Sequence, residues 1–125
     1  MWNEKEKYVF DFEKLKVYEM GLDFVRAIFA VAKEFPRDYQ YSVGDQLRRA
    51  ALSIVNNIAE GSGKLSKKEK AQFYRIALNS ARECIPMLTI LSKDNIVPEA
   101  DANGLRENCI HICNMLGKLI SSVGI

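Results

Sequence analysis

The chain holds one histidine, one tryptophan, three cysteines and three prolines, and each scarcity removes a class of protein. With His111 as the sole imidazole, acid–base chemistry near neutral pH rests on a single side chain. Its one carboxylate neighbour at helical spacing is Glu107, a pairing made more often on a surface than in a catalytic dyad. No Glu-x-x-His motif occurs, so the inward-facing ligand sets of bundle metalloproteins are missing. Neither catalysis nor a cofactor is expected. Cys84, Cys109 and Cys113 are an odd number, and Met1 to Lys7 has no basic region followed by an apolar stretch. That pattern fits a reducing cytoplasm, with the thiols acting as small core hydrophobes rather than metal ligands. No apolar run reaches the roughly 18–20 residues of a membrane span, so no membrane contact is expected. The formal net charge of +2 is too small to argue for a polyanionic partner unless the charges cluster.

What is present is helical periodicity. Leu47, Ala51, Ile54 and Ile58 recur at helical spacing, widened by Ala50 and Val55. On the opposite side Arg49, Ser53, Asn56 and Glu60 form a polar row, with Asn57 beside it. Gly61-Ser62-Gly63 is expected to end this helix with a left-handed glycine, and Ser42 or Asp45 to cap its start. An earlier helix runs from about Glu13 to Glu34 and stops at Phe35-Pro36, because proline disfavours the helical conformation in the residue before it. It carries two apolar stripes. Tyr18, Leu22, Val25, Phe29 and Ala32 make one; Val17, Met20, Phe24, Ile28 and Val31 make the other.

Ser66-Lys67-Lys68-Glu69 is a capping-box pattern that opens a third helix, running to about Lys93. Phe73, Ile76, Ala77, Ser80, Cys84, Leu88 and Leu91 are its expected core face, flanked by Tyr74 and Leu78. A fourth helix follows Pro98. No stretch alternates like a strand, so the expected fold is all-α: an antiparallel up-down-up-down four-helix bundle over residues 13–125, preceded by an N-terminal arm over residues 1–12. One bundle core uses one stripe per helix. The surplus stripe of Val17, Met20, Phe24, Ile28 and Val31 must then be covered by the N-terminal arm or by another copy; with Tyr74 and Leu78 it is expected at a contact between copies, and Phe24→Glu to lower the oligomer mass without loss of helicity.

Gly61-Ser62-Gly63-Lys64 falls short of a phosphate loop: Ile58 stands where the first glycine belongs and Leu65 where Ser or Thr would bind magnesium. The basic residues carry more weight. Arg48, Arg49, Lys64, Lys67, Lys68 and Arg75 are expected to gather toward one end of the bundle and contact phosphates of RNA or DNA. The row Arg49, Ser53, Asn56, Asn57, Glu60 is either a solvent face or a polar network between helices or copies. A nucleic-acid adaptor and a protein-interaction scaffold both remain open on these residues.

Phe12-Glu13-Lys14-Leu15-Lys16-Val17-Tyr18, Gln46-Leu47-Arg48-Arg49-Ala50-Ala51, Asn57-Ile58-Ala59-Glu60-Gly61 and Ala77-Leu78-x-Ser80-Ala81-x-Glu83 resemble the four-helix-bundle proteins encoded by intervening sequences in bacterial 23S ribosomal RNA genes. The resemblance spans about residue 11 to the C-terminus and implies a ring-like homopentamer. More distantly the chain is similar to the accessory protein of diversity-generating retroelements, a basic pentamer that binds nucleic acid and a reverse transcriptase.

Overall fold

A computed structural model describes residues 8–124 of the chain; most of the expected N-terminal arm, Trp2 included, lies outside them. Among the described residues the fold is all-helical, with no strand. Four long helices, α1 (Lys16–Ala32), α3 (Val43–Ser62), α4 (Lys67–Lys93) and α5 (Glu99–Ser122), are joined by short connectors. Two single turns complete it: a 3-10 turn at Asp11–Lys14, and α2 (Arg37–Gln40) inside the connector expected between the first two long helices. Helix α1 packs on α3 and α5, α3 on α4, and α4 on α5, so each long helix has two long neighbours. No helix among the described residues is long and apolar enough to cross a membrane.

The α3 periodicity does what its spacing predicts: Leu47, Ala51, Ile54 and Ile58 have no exposed surface. Around them lie Phe24 and Ile28 of α1, Ala77, Ala81 and Cys84 of α4, and Cys109, Ile112 and Leu116 of α5. The two α1 stripes exchange roles. Val17, Phe24 and Ile28 are buried inside the single chain and Met20 and Val31 are half-buried, while Leu22 and Phe29 stand outside, 39% and 40% exposed. On α4, Tyr74 is buried and Leu78 half-buried, whereas Ile76, expected in the core, is exposed. The residues expected at a seam between copies are thus largely interior.

Gly21 explains the exchange. It shares a face with Val17, Phe24 and Ile28, and a Cβ there would stand 2.7 Å from Val55 Cγ1 of α3. Helix α1 lies close against α3 on this face, and the bulky residues beside the glycine are carried inward. A second close approach lies at the far end of α3, where a Cβ on Gly61 would meet the Tyr74 ring at 2.8 Å.

Both ends of α3 are capped otherwise than expected. Ser42 occupies the N-cap of α3, but its hydroxyl donates backward to the Asp38 carbonyl at 2.6 Å, and Asp45 pairs with Arg48 instead. Gly63 ends α3 with φ −84°, a right-handed conformation. The orphan carbonyls there are met by a side chain: Lys70 Nζ donates to Gly61 O at 3.1 Å and Ser62 O at 2.9 Å, placing a cation on the negative end of the helix. A left-handed residue ends the next helix instead: Asn95, φ 59°, closes α4, where Ile96 N–H donates to Leu91 O at 2.9 Å in a Schellman-like return. Ser66 caps α4, accepting from Glu69 N at 3.3 Å, which is half of the expected capping box; the returning bond from Ser66 N–H to the Glu69 carboxylate is not made.

Phe24, 1% exposed, now sets a different outcome for Phe24→Glu. Burying a carboxylate in the core is expected to cost about 3 kcal/mol or more, seen as loss of helicity and of the urea transition midpoint. A variant that stayed fully helical and equally stable would contradict this placement.

Candidate nucleic-acid interface

The connector between α3 and α4 carries the lysine cluster. Lys64 Nζ lies 3.6 Å from Glu60 Oε2 and 5.1 Å from the centre of the Phe73 ring, which together hold it against the end of α3. Lys67 and Lys68, in the first turn of α4, are exposed. The ion pairs among the described residues are Lys64–Glu60 and Arg48–Asp45, so neither Lys67 nor Lys68 has an ion-pair partner among them. Lysine near a helix N-terminus meets the positive end of the dipole. Both charges are therefore under mild mutual and dipolar repulsion, which an approaching anion relieves. Arg75 is exposed eight residues beyond Lys67, about 12 Å along α4.

Arg48 and Arg49 do not join this cluster. They sit sixteen and fifteen residues before Lys64, about 20 Å back along α3 from its end at Ser62, so the single basic end expected for all six residues does not form. Arg48 is mostly buried and committed: its guanidinium donates to the Gln40 carbonyl and the Asp45 carboxylate, each at 3.3 Å, and to the Gln40 side-chain oxygen. It also lies 6.0 Å from the centre of the Phe29 ring. Gln40 in turn donates through Nε2 to Lys33 O at 3.0 Å and Phe35 O at 3.1 Å. Arg48 and Gln40 thus latch α2 to α3 and to the end of α1.

The polar row divides as well. Ser53 is its working member: the Ser80 hydroxyl of α4 donates to Ser53 Oγ at 2.8 Å, and Asn57 Nδ2 donates to Ser53 O and Oγ at 2.8 and 3.0 Å. The bond across helices is made by two serines, while Asn57 bonds within its own helix. Asn56 and Arg49 are exposed, and Arg49 borders a shallow cleft with Gln46, Ser53, Ser80 and Glu83.

Sequence reasoning missed a groove of about 1250 Å³ between α1, α2 and α3. Its floor includes Val25, Phe29 and Leu52, and its rim holds Arg26, Lys33, Arg37 and Arg48 with Tyr41. The signal was present in the spacing of Leu22, Val25 and Phe29, which lead outward once Gly21 is seen to face α3.

The thiols are structural. Cys109 Sγ donates to Ala81 O at 2.9 Å and Cys84 Sγ to Ser80 O at 3.5 Å. For Cys109 the neighbouring Cys113 thiol pulls down, but the neighbouring Cys84 thiol and burial outweigh it and push the group up to about 12; the neighbouring Cys109 thiol and burial raise Cys113 as well. Raised thiols stay protonated and unreactive near neutral pH. Among the described residues no group of three or more His, Cys, Asp or Glu is placed to hold a metal.

A family model, 23S rRNA-intervening sequence protein, matches residues 13–118. The fold is similar to a crystal structure of a protein of unknown function from the S23 ribosomal protein family of Bacteroides thetaiotaomicron, with a TM-score of 0.79 and 22% identity over 84% of this chain and 95% of that one. No curated protein matches the sequence.

The two adjacent arginines are expected to behave differently. Arg48→Ala strips partners from Gln40 and should lower stability by about 1–3 kcal/mol, whereas Arg49→Ala should stay within about 0.5 kcal/mol of the parent. Urea unfolding followed by circular dichroism reads both, and equal effects would refute the latch.

Proposed function

The chain belongs to the 23S rRNA-intervening sequence protein family, and we propose that it is a non-enzymatic, oligomeric adaptor that binds structured RNA or DNA in the cytoplasm. The observation that carries this reading is the exposed pair Lys67 and Lys68, with no ion-pair partner among the described residues, beside Lys64 at the α3–α4 connector. Phosphates that replace their counterions gain contacts and release ions to solution, the main source of affinity in sequence-tolerant binding. Arg75 extends the surface along α4. Arg48 drops out of it because its donors are committed, and Arg49 because it lies too far away. The resemblance to the accessory protein of diversity-generating retroelements supports the same reading.

The finer architecture belongs to this proposal. We infer that consecutive long helices run antiparallel, up-down-up-down. Gly61 lies against Tyr74 while Ser53 bonds Ser80, so positions that fall along α3 pair with positions that rise along α4. Copies assemble into a ring-like homopentamer, as the family resemblance implies. With Val17, Phe24, Ile28 and Tyr74 interior, the seam in this reading draws on Ile76 and Ile90 of α4 and Ile110 of α5, all exposed. The second reading, a protein-interaction scaffold, is favoured by the basic groove.

Replacing Lys64, Lys67 and Lys68 together with Glu should weaken binding to a structured RNA hairpin and flatten the slope of log affinity against log salt by about 2–3. Unchanged affinity and slope would remove the lysine turn from the interface. For the assembly, Ile90→Lys with Ile110→Lys is expected to lower the mass found by light scattering while helicity stays intact; an unaltered mass would exclude this seam.

A further inference from the structure

The groove between α1 and α3 carries a chemistry that the lysine turn does not. Arg26, Lys33 and Arg37 on its rim are exposed and have no ion-pair partner among the described residues. No Asp or Glu lines it. Beneath this cationic rim the floor is apolar: Val25 and Phe29, one helical turn apart on α1, face Leu52 of α3. Arg48 and Gln40 hold the wall in place through hydrogen bonds to three backbone carbonyls, those of Gln40, Lys33 and Phe35. The site is therefore formed in advance rather than assembled on binding, which lowers the ordering cost.

We propose that this groove is a docking site for an acidic amphipathic helix of a partner protein. Its size argues for a polymer segment, since about 1250 Å³ exceeds the roughly 300–1,000 Å³ typical of small-molecule pockets. Its length suits a helix: from Val25 to Lys33 is eight residues, about 12 Å along α1, close to the span of apolar anchors at i, i+3, i+4 and i+7. Leucine or phenylalanine anchors cover Val25, Phe29 and Leu52, and flanking Glu or Asp reach Arg26, Lys33 and Arg37. Single-stranded nucleic acid suits the groove less well. Base binding needs open ring faces, and the Phe29 ring already has the Arg48 guanidinium 6.0 Å from its centre. Tyr41, 77% exposed, is then the one open ring on the rim, above a floor whose Val25 and Leu52 reward aliphatic anchors.

The test uses a fluorescent, end-blocked peptide of about 15 residues, with leucine at i, i+3, i+4 and i+7 spacing and glutamate at most other positions. A scrambled peptide of the same composition and a thymidine oligonucleotide serve as controls, and anisotropy is read on the full-length protein. The patterned peptide is expected to bind at least about tenfold more tightly than the scrambled one. Lys33→Glu with Arg37→Glu should weaken it by about tenfold or more, and Leu52→Arg should do likewise, with particle mass unchanged. Lys67→Glu with Lys68→Glu should leave peptide affinity as it was, which separates this surface from the lysine turn. The charge-reversal pair lies wholly on the exposed rim and carries the test if Leu52→Arg fails to fold. Equal affinity for patterned and scrambled peptides, or no binding, overturns the proposal. A change of particle mass in the rim variants assigns the groove to a second copy of the chain and overturns it too. Competition by the oligonucleotide that is lost with Lys33→Glu and Arg37→Glu makes the groove a nucleic-acid track, with the same consequence.

Discussion

Close approach to α3 at two glycine-lined points sets the rest of this structure. At one point Gly21 admits Val55 of α3; at the other Gly61 admits the Tyr74 ring of α4. Ala50 and Ala51 keep the intervening surface of α3 shallow, and both are buried. Helix packing distance follows the side chains at the contact, so these small residues bring α1 and α4 down onto α3. What each neighbour exposes is then a consequence. With the Gly21 face turned inward, Leu22 and Phe29 are left outside and the groove opens beside Leu52. With Tyr74 seated on Gly61, α4 begins alongside the end of α3, Lys70 reaches the terminal carbonyls, and Lys67 and Lys68 stay exposed in the first turn of α4.

The basic residues separate by what they already touch. Arg48 and Lys70 are occupied, the first by Gln40 and Asp45, the second by the α3 carbonyls. Lys64 is shared between Glu60 and Phe73. Among the exposed cations with no ion-pair partner in the described residues, two sets gather locally: Lys67 with Lys68 at the α3–α4 connector, and Arg26 with Lys33 and Arg37 around the groove. A net charge of +2 conceals both, because it sums over the whole chain and does not register where the charges gather. The two groups differ in what lies beneath them. The connector is polar around its lysines, apart from the fully exposed Leu65, and suits phosphate; the groove has an apolar floor and suits an amphipathic helix.

Much of the scaffold was legible. The period of Leu47, Ala51, Ile54 and Ile58, the stop at Phe35-Pro36, the Ser66 cap and the start of the last helix beyond Pro98 all follow from local rules and recur in the fold. The assignment of the two α1 stripes was not legible, because they are similarly apolar and hydrophobicity alone does not rank them. The deciding residue, Gly21, has no side chain to register in a hydrophobic pattern. The end of α3 misled for the related reason that a glycine permits a left-handed turn without requiring one; the carbonyls there were satisfied by Lys70, nine residues beyond Gly61. Arg48 and Arg49 are alike in sequence and unlike in place, since 100° of helical rotation points one toward α2 and the other toward solvent. The site was legible as a lysine cluster and illegible as a groove, whose walls come from three separate segments.

The central claim is that cations at the α3–α4 connector, and not those committed to the scaffold, meet nucleic acid. It is tested most directly by reductively methylating the lysines with a labelled reagent and following each dimethyl-ammonium signal by NMR as a structured RNA is added at low salt. The account predicts shifts at Lys67 and Lys68, a smaller one at Lys64, and none at Lys33 of the groove. Shifts confined to Lys33, or none at any lysine, would contradict it.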